Sequence, residues 1–370
     1  MPENEALWLP AKGAAFRRGP APRTPPQADE ILVRTRAVAV NPVDRLIPVI
    51  GGFVYPWLSY PAILGSDVAG EVVAVGPGVT RFRVGDRVLG HAVGPEKASN
   101  RAAEGAFQSF ALLRESMAAP IPAPLSDEAA AVLPLGLSTA ACALFEPDLL
   151  SLRWPTAATG AMGETILVWG GSTSVGCNAI QLATAAGYDV FATASPHNFD
   201  LLRRLGAAGV FDYRSPSVVP DMIAALRGRR MGGALAIGAG SAAACLRVLG
   251  ALPGRRFVAT ASPPVSFDAV PAGRARHLAP VLLRMALASG RLWLAARRRG
   301  VTLRMIWGGA LLTTATGPMI YRDYLPRALA EGRHRAAPEP LLAGKGLDAI
   351  PAALEMQRRG VSARKVVVRL

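Results

Sequence analysis

Cysteine is scarce in this chain of 370 residues, which has three cysteines, far apart and in apolar surroundings: Cys142, Cys177 and Cys245. No C-x-x-C pair occurs, so the sequence predicts reduced core thiols rather than a disulfide framework. The first residues, MPENEALW, include acidic residues where a secretion signal has basic ones, and no apolar stretch follows them. We therefore expect a cytoplasmic protein.

Long uncharged apolar runs are also missing. A membrane helix needs about 18 to 20 such residues. The nearest run, Met305 to Tyr321, is interrupted by glycines, a proline and threonines. We therefore expect a buried or flexible segment there and no membrane span.

One long segment of the sequence contains no aspartate or glutamate. The formal net charge is +15, nearly all of the base is arginine, and no acid lies between Asp268 and Asp323. Arginines accumulate there: Arg274, Arg276, Arg284, Arg291, Arg297, Arg298, Arg299 and Arg304. A basic surface can bind nucleic acid, anionic lipid or an acidic partner. Alternatively, it is an ordinary solvated surface on which arginine is used in place of lysine. Because no nucleic-acid motif or aromatic stacking platform accompanies the charge, we expect no nucleic-acid partner.

Half of the residues are hydrophobic, and they follow two different patterns. Residues 1–125 have short β-branched runs between prolines and glycines, which predict strands and turns. From Leu125, helix and strand alternate, which is typical of a doubly wound parallel sheet in an α/β protein. Helices are expected at 127–145, 174–186, 198–205, 217–228 and 241–250, and strands at 165–169, 188–193, 209–212, 233–237 and 256–260. The closing run KVVVRL is expected to pack back onto the first domain.

A glycine-rich turn, ILVWGGSTSVG (166–176), follows the first strand of that sheet. Gly170, Gly171 and Gly176 let the chain turn tightly and let the helix approach the strand. The N–H groups at the helix N-terminus would face an anion, and a pyrophosphate fits that place. By itself the motif is weakly specific, because it departs from G-x-G-x-x-G.

The end of the second strand, FATASPHNFD (191–200), supports a dinucleotide site and indicates which dinucleotide it holds. An acidic side chain at this place grips the ribose 2′-hydroxyl of NAD. Here the chain offers Ser195, Pro196, His197 and Asn198, with no carboxylate before Asp200. These donors favour a 2′-phosphate and therefore NADPH over NADH. Alternatively, His197 and Asn198 only cap the next helix.

Several motifs occur in the order found in medium-chain dehydrogenases/reductases: NPVD (41–44), GSDVAGEV (65–72), VGDRV (84–88), GAFQSFA (105–111), the glycine turn and LEMQRRGVSARKVVV (354–368). The sequence most resembles the zinc-free branch of quinone and enoyl reductases, and especially fungal trans-acting enoyl reductases that serve polyketide synthases. The resemblance implies a GroES-like β domain from residues 1–126 and 333–370, a Rossmann NADPH-binding domain from residues 127–332, and an active site in the cleft.

The zinc ligands of the family's alcohol dehydrogenases are replaced here. The first turn is NPVD, Ser66 stands in the place of a histidine, and the cysteine lobe is absent. Tetrahedral zinc needs three or four nitrogen or sulfur ligands. We expect no metal, and we expect His91 to be a loop residue rather than a ligand. Without a Lewis acid, hydride addition to an enoyl thioester, an enone or a quinone fits better than alcohol oxidation.

The resemblance also implies site residues. Thr139 would lie beside the nicotinamide as the catalytic hydroxyl, unless it is only a small residue chosen for helix packing. Tyr213 would lie on the adenine side, unless it is a half-buried aromatic next to a strand. The remaining cofactor residues would be Val43, Asp44, Arg45, Leu46, Ser172, Thr173, Ser174, Val175, Leu249, Gly250, Val361 and Ser362. Arg45 stands near the place where close relatives often have a lysine, and the proton donor stays open between Tyr55, Tyr60 and other groups.

The function expected from these residues is NADPH-dependent, zinc-independent reduction of an activated double bond. The alternatives are an NADPH:quinone reductase and a non-catalytic dinucleotide-binding sensor or scaffold. An acyl carrier protein or polyketide synthase is a possible partner. The arginines of residues 269–322 would then receive an acidic acyl carrier protein or a CoA-linked enoyl substrate, and Trp293, Met305, Ile306 and Trp307 would line an acyl pocket.

Overall fold

The structure is a computed structural model that describes residues 3–156, 160–268, 270 and 277–370. It divides the chain into two compact units. One, the β-rich unit, contains the described residues of 1–135, 267–276 and 312–370. The other, the αβ unit, contains the described residues of 136–266 and 277–311.

The described residues form sixteen strands: β1 (Asn4–Leu9), β2 (Arg17–Ala21), β3 (Glu30–Ala39), β4 (Ala62–Ile63), β5 (Asp67–Val75), β6 (Arg87–His91), β7 (Phe110–Arg114), β8 (Ala118–Pro120), β9 (Glu164–Trp169), β10 (Asp189–Ala194), β11 (Gly209–Asp212), β12 (Arg230–Ala236), β13 (Phe257–Thr260), β14 (Thr302–Met305), β15 (Glu339–Lys345) and β16 (Arg364–Arg369). The α-helices are α1 (Pro42–Val54), α2 (Asp127–Ala130), α3 (Pro134–Phe145), α4 (Ser174–Ala185), α5 (Phe199–Arg204), α6 (Val218–Ala225), α7 (Ser241–Gly250), α8 (Leu278–Arg299), α9 (Thr316–Pro318), α10 (Leu325–Ala330) and α11 (Ile350–Arg359).

The β-rich unit is built from both ends of the chain. Its larger sheet has the order β15-β16-β3-β5-β6-β8, with β7 also paired to β3, and its smaller sheet has the order β2-β1-β4. Strand β16 pairs antiparallel with β3, with Val367 opposite Ala39. The closing run KVVVRL therefore joins the first domain, as its β-branched residues predicted.

A buried polar cluster joins four segments of this unit. The Asp67 carboxylate accepts a hydrogen bond from Asn41 Nδ2 at 2.8 Å and from the backbone N–H of Leu135 at 2.6 Å. Lys365 Nζ lies 2.9 Å from the same carboxylate and also donates to Asn41 Oδ1. Asp67 and Lys365 are both buried. Because each charge has partners, the cluster fixes the 41–44 turn, β5, β16 and the start of α3 to one another.

The αβ unit has one parallel sheet, in the order β11-β10-β9-β12-β13-β14. Strand β9 is buried over Thr165–Trp169, which explains its unbroken apolar run. The strand order reverses between β9 and β12, and ligands of such sheets bind beside this point at the carboxyl ends of the strands. The doubly wound α/β fold predicted from the sequence is confirmed.

Three elements differ from the sequence-based prediction. Helix α1 begins at the NPVD turn, where strands and turns were expected. The helix expected at 127–145 is two helices, because Pro134 lacks an N–H and begins α3 instead of continuing α2. Helix α8 and the edge strand β14 were not predicted, and they extend the sheet to six strands.

The compact units also divide the chain at other places than the sequence did. Apart from the short segment 267–276, which belongs to the β-rich unit, the changes fall at 135/136 and 311/312, rather than at 126/127 and 332/333. The Leu135 N–H donates to Asp67, and the Tyr321 hydroxyl donates to the Pro134 carbonyl at 2.9 Å. These contacts hold the start of α3 and the segment after residue 311 in the β-rich unit.

By length and composition alone, two stretches of the described chain are apolar enough to cross a membrane. Asp127–Phe145 is mostly buried inside the protein, as core helices that pass this test commonly are. Leu278–Arg299 is exposed over most of its surface and carries Arg284 and Arg291 within its apolar part.

The buried cluster makes a stability prediction. The substitution Lys365→Met should lower the free energy of unfolding in urea by about 3–5 kcal/mol, because it leaves the Asp67 carboxylate buried and without its cation. Adding Asp67→Asn should recover part of that loss. The control is Arg364→Met, which removes an exposed pair with Glu339 at 2.9 Å and should cost at most about 1 kcal/mol. Equal losses for the two single variants would contradict the role of the buried pair.

Candidate functional site

The glycine turn connects β9 to α4 at the point where the strand order reverses. Gly170 has φ of 87°, a conformation that favours glycine. Its N–H donates to Thr193 Oγ1 at 3.0 Å, and the Gly171 N–H donates to the Thr193 carbonyl at 2.8 Å. A Cβ on Gly176 would lie 2.2 Å from the Gly170 carbonyl oxygen. The turn is therefore held against β10, and helix and strand approach as closely as the sequence predicted.

Helix α4 begins on this turn with an exposed N-terminus. Thr173 caps it, accepting a hydrogen bond from the Gly176 N–H at 3.0 Å. Ser172, Ser174 and Val175 are half-buried. First-turn N–H groups have no partner within a helix, so this end of α4 can receive an anion.

Helix α3 packs against the same turn and brings Thr139 near it. A Cβ on Gly136 would lie 2.3 Å from Ser174 Oγ, so the two helices touch at this point. Thr139, three residues further along α3, is half-buried, whereas Leu137, Ser138 and Ala140 are fully buried. Thr139 is therefore less buried than the residues on either side of it in α3.

A polar cluster lies at the ends of β10 and β11. The Ser195 hydroxyl hydrogen-bonds the Tyr213 hydroxyl, and this bond lowers the pKa of the tyrosine. Arg214 Nε donates to the same Tyr213 oxygen at 3.2 Å. Sequence reasoning selected Ser195 and Tyr213 but missed Arg214. Its position next to Tyr213, with no acid at the end of β10, was the available signal.

The residues after Ser195 form a short 3-10 turn, Pro196–Asn198, before α5. Pro196 and His197 are exposed, and Asn198 is buried. The side chain of Asn198 makes no capping hydrogen bond to α5. Asn198 thus stands at the N-cap position of α5 without a side-chain hydrogen bond to its first turn.

Leu249 and Gly250 do not join this cluster. They lie in the last turn of α7, which runs back from the carboxyl end of β12 to the amino end of β13. Leu249 is buried in the core, and a Cβ on Gly250 would meet the side chain of Arg299. The two residues therefore lie at the edge of the sheet opposite the glycine turn.

In the β-rich unit, the four residues predicted to face the nicotinamide form the first turns of α1. Val43 and Leu46 are half-buried, and Arg45 pairs with Asp268. Asp44 accepts a hydrogen bond from the Asn41 N–H at 2.8 Å and completes a capping box. Val361 and Ser362 lie just before β16, whose Val366 carbonyl accepts a hydrogen bond from the Val40 N–H at 3.0 Å.

Burial strongly shifts the pKa values of the titratable groups around α1 and the end of β6. Desolvation raises the pKa of Asp44 to about 7 and lowers the pKa of His91 to about 4. His91 is the last residue of β6 and pairs in register with Asp67, so the prediction that it lies in a loop is wrong. Tyr55, a candidate proton donor, is buried at the end of α1, and burial raises its pKa well above the usual value.

Metal ligands do not come together in the part of the chain that the structure describes. Within those residues, no three His, Cys, Asp or Glu side chains are placed to hold a metal ion. Of the groups in the corner of Asn41 and Ser66, the Asp67 carboxylate is occupied by Lys365, Asn41 and the Leu135 N–H.

A groove of about 700 Å³ lies on the αβ unit, beside the carboxyl ends of β12 and β13. Gly238, Ser241 and Ser262 line one part, and Trp293 and Met305 line another. Ile306 is buried, and Trp307 is not among the lining residues. Two of the four residues predicted to form an acyl pocket are therefore on the groove.

These features define a class of protein: an α/β chain with a β-rich unit and a doubly wound unit whose glycine turn can hold a dinucleotide. Residues 27–123 match the family described as "Alcohol dehydrogenase GroES-like domain". The chain is 49% identical to "Dehydrogenase pigH" of Monascus ruber, over 100% of both chains. It is 35% identical to "Trans-enoyl reductase himH" of Aspergillus japonicus, over 99% of this chain and 97% of that one.

Among solved structures, the fold matches the CurK enoyl reductase with a TM-score of 0.71 and 21% identity, over 100% of this chain and 99% of that one. The chain belongs to the medium-chain dehydrogenase/reductase family. Members of this family that reduce enoyl groups use a nicotinamide dinucleotide, and the residues of the glycine turn fit one.

The geometry of the turn makes a prediction. The substitution Gly176→Ala should lower the free energy of unfolding by about 1–3 kcal/mol, because its Cβ would overlap the backbone of Gly170 and Gly171. Displacing the turn should also weaken dinucleotide binding, measured by titration of cofactor fluorescence. The control is Gly160→Ala, where a Cβ would meet nothing within 4 Å. If a folded Gly176→Ala protein bound the dinucleotide as the parent does, the glycine turn would not be part of the binding site.

Proposed function

We propose that the protein is an NADPH-dependent, zinc-independent reductase that transfers hydride to an activated carbon–carbon double bond of an enoyl thioester or enone. The observation that carries the proposal is the cluster of Ser195, Tyr213 and Arg214 at the ends of β10 and β11. Two hydroxyls and a guanidinium suit a 2′-phosphate dianion, whereas an NAD site places a carboxylate there. His197, exposed on the next turn, adds a further donor.

The protein's part in the reaction is positioning and charge stabilisation. When bound, the dinucleotide supplies the hydride. The first turn of α4 would hold the pyrophosphate. The resemblance to the family assigns the nicotinamide half to the groups around Val43–Leu46 and Val361–Ser362. The Thr139 hydroxyl would donate a hydrogen bond to the substrate carbonyl oxygen as negative charge develops on it.

An already conjugated acceptor suits these residues because its carbonyl delocalises the charge without a metal. Asn41 and Ser66 occupy the positions where zinc relatives carry ligands, and neither is a strong zinc ligand. A quinone is also a conjugated acceptor, so an NADPH:quinone reductase is the second candidate. The relative named as a trans-enoyl reductase favours an enoyl group over a quinone.

We further propose that the enoyl group arrives as a thioester on a separate synthase chain. The name of the himH relative describes an enoyl reductase that works in trans. Three motifs support the same interpretation because they resemble those of fungal reductases that serve polyketide synthases: GGSTSVG (170–176), SPHNF (195–199) and FDYRSP (211–216). An acyl carrier domain is then the form in which the substrate is presented.

Cofactor choice tests the proposed function. The substitution Ser195→Asp should weaken NADPH binding by about 2–3 kcal/mol, since it replaces a hydrogen-bonding hydroxyl with a like charge. Arg214→Gln should also weaken NADPH binding. Binding of NADH should change far less in both variants. The measurement is titration of both cofactors, followed by stopped-flow oxidation of bound NADPH with enones, quinones and enoyl thioesters.

Arg227→Gln is the matched control, because Arg227 is an exposed arginine beyond α6. Equal affinity of the unmodified protein for NADH and NADPH would contradict the proposed 2′-phosphate site. Binding of NADPH without oxidation by any acceptor would instead favour the non-catalytic sensor or scaffold.

Metal independence is a separate expectation of the proposed function. The purified protein should contain no stoichiometric zinc and should keep its reductase activity in a chelator. The donor set at Asn41 and Ser66 is the physical reason. Elemental analysis that finds about one zinc per chain, lost together with activity, would contradict the expectation.

A further inference from the structure

Helix α8 has an apolar stripe on its outer face, directed away from the sheet. Its inner face, with Leu292, Ala295 and Ala296, packs against the core of the αβ unit. On the outer face, Leu283, Leu287 and Leu294 are 62%, 56% and 41% exposed. Leucines this exposed, aligned on one helix face, call for an explanation beyond the fold of the unit itself.

The outer stripe has the spacing of a helix–helix seam. Residues 283, 287, 290, 294 and 297 follow the alternating steps of four and three that place residues along one side of a helix. Gly290 is at the centre, where a Cβ would meet nothing within 4 Å, so a large side chain of a partner has room there. Three exposed arginines flank the seam at intervals of seven: Arg284, Arg291 and Arg298.

The charge pattern disfavours a second copy of α8 as the occupant. Residues 277–311 contain no aspartate or glutamate. An antiparallel copy would bring the three arginines against the same three arginines. A parallel copy would place them beside Ala286 and Trp293, which offer no carboxylate. The surface needs acid from another molecule.

The width of the stripe distinguishes a protein from a membrane. At 100° per residue, the three leucines fall within an arc of about 40°. Exposed Ala286 and Trp293 widen the apolar face to about 120°, but Arg297 lies between them and the leucines, with its guanidinium over the Trp293 ring. A helix that embeds one face in an apolar phase presents an arc of at least about 100°, whereas a helix–helix seam is narrower. Arg291 and Arg298 border the leucines on one side and Arg297 borders them on the other. Because arginines border the leucine stripe on both sides, the uninterrupted apolar stripe is narrow and suits another helix.

We propose that the outer face of α8 is the docking surface for the acidic, amphipathic helix of a partner protein that delivers the substrate. The partner would place apolar side chains on Leu283, Leu287 and Leu294, and carboxylates against Arg284, Arg291 and Arg298. This inference rests on the proposed function for the partner's identity, an acyl carrier domain. The surface itself is defined by the exposed residues of α8.

The test uses the full chain and an excised acyl carrier domain carrying phosphopantetheine but no acyl group, with binding measured by calorimetry. The double variant Arg284→Glu/Arg298→Glu should weaken binding about tenfold or more at low salt and less at high salt. The triple variant Leu283→Gln/Leu287→Gln/Leu294→Gln should weaken binding at every salt concentration. Because all five side chains are exposed, the variants should fold with unchanged melting temperatures.

The matched control is Arg17→Glu/Arg227→Glu, an equal charge change at exposed arginines on β2 and beyond α6, and it should bind like the parent. Turnover of a free enone should be the same in all variants, whereas KM for a carrier-bound enoyl thioester should rise only in the α8 variants. Equal binding by all variants would overturn the docking surface.

Two further outcomes separate the proposals. Sedimentation with phosphatidylserine vesicles but no binding to the carrier domain would overturn the inference in favour of a membrane surface. Binding that depends on α8, in a chain that reduces no thioester or enone, would support the docking surface and overturn the proposed function.

Discussion

The pairing of Asp67 with Lys365 is the constraint on which the β-rich unit depends. Both groups are buried, and neither charge could stay in the interior without the other. Asp67 begins β5 and Lys365 lies in β16, near the other end of the chain, so the pair can form only when the two ends share one sheet. Asn41 bridges them through its amide, which fixes the start of α1 at the same point.

This cluster also decides what chemistry the corner can support. The Asp67 carboxylate, which could otherwise attract a cation, already accepts hydrogen bonds from Asn41 and the Leu135 N–H beside its ion pair with Lys365. The neighbouring Asp44 has a pKa raised to about 7 by burial, and its carboxyl caps the first turn of α1. These buried side chains therefore hold the 41–44 turn in place, and their carboxylates are already occupied by partners within the unit. Under the proposed function, stabilisation of the developing charge falls to neutral donors such as the Thr139 hydroxyl.

The sequence predicted the αβ unit well because its signals are local. Strands such as β9 are buried on both faces and read as unbroken apolar runs, and the glycines of the turn are required by backbone geometry. Helix α1 was missed because Pro48, Gly51 and Gly52 weaken its helical pattern. The capping box of Asn41 and Asp44, with Pro42 at its first position, was a sufficient signal for its start.

The misses at the site have a different physical cause. Leu249 and Gly250 follow a predicted helix, but only the parallel pairing of β12 with β13 shows that the end of α7 lies at the far edge of the sheet. Arg214 follows Tyr213 in sequence, yet its contribution depends on the Tyr213 hydroxyl meeting Ser195 from another strand. Such contacts arise from tertiary packing, which residue spacing alone does not determine.

The excess of arginine divides into two kinds of surface. Across much of the chain, arginines share carboxylates: Arg34 and Arg36 both contact Glu71, and Arg358 and Arg359 both contact Glu355. An ordinary solvated surface that is rich in arginine accounts for these exposed pairs. Each pair contributes little to stability. Helix α8 differs, because residues 277–311 have no acid of their own to share and the arginines there border exposed leucines. Composition explains a basic protein, but it does not explain why the uncompensated charge and the exposed apolar stripe lie on the same face of one helix.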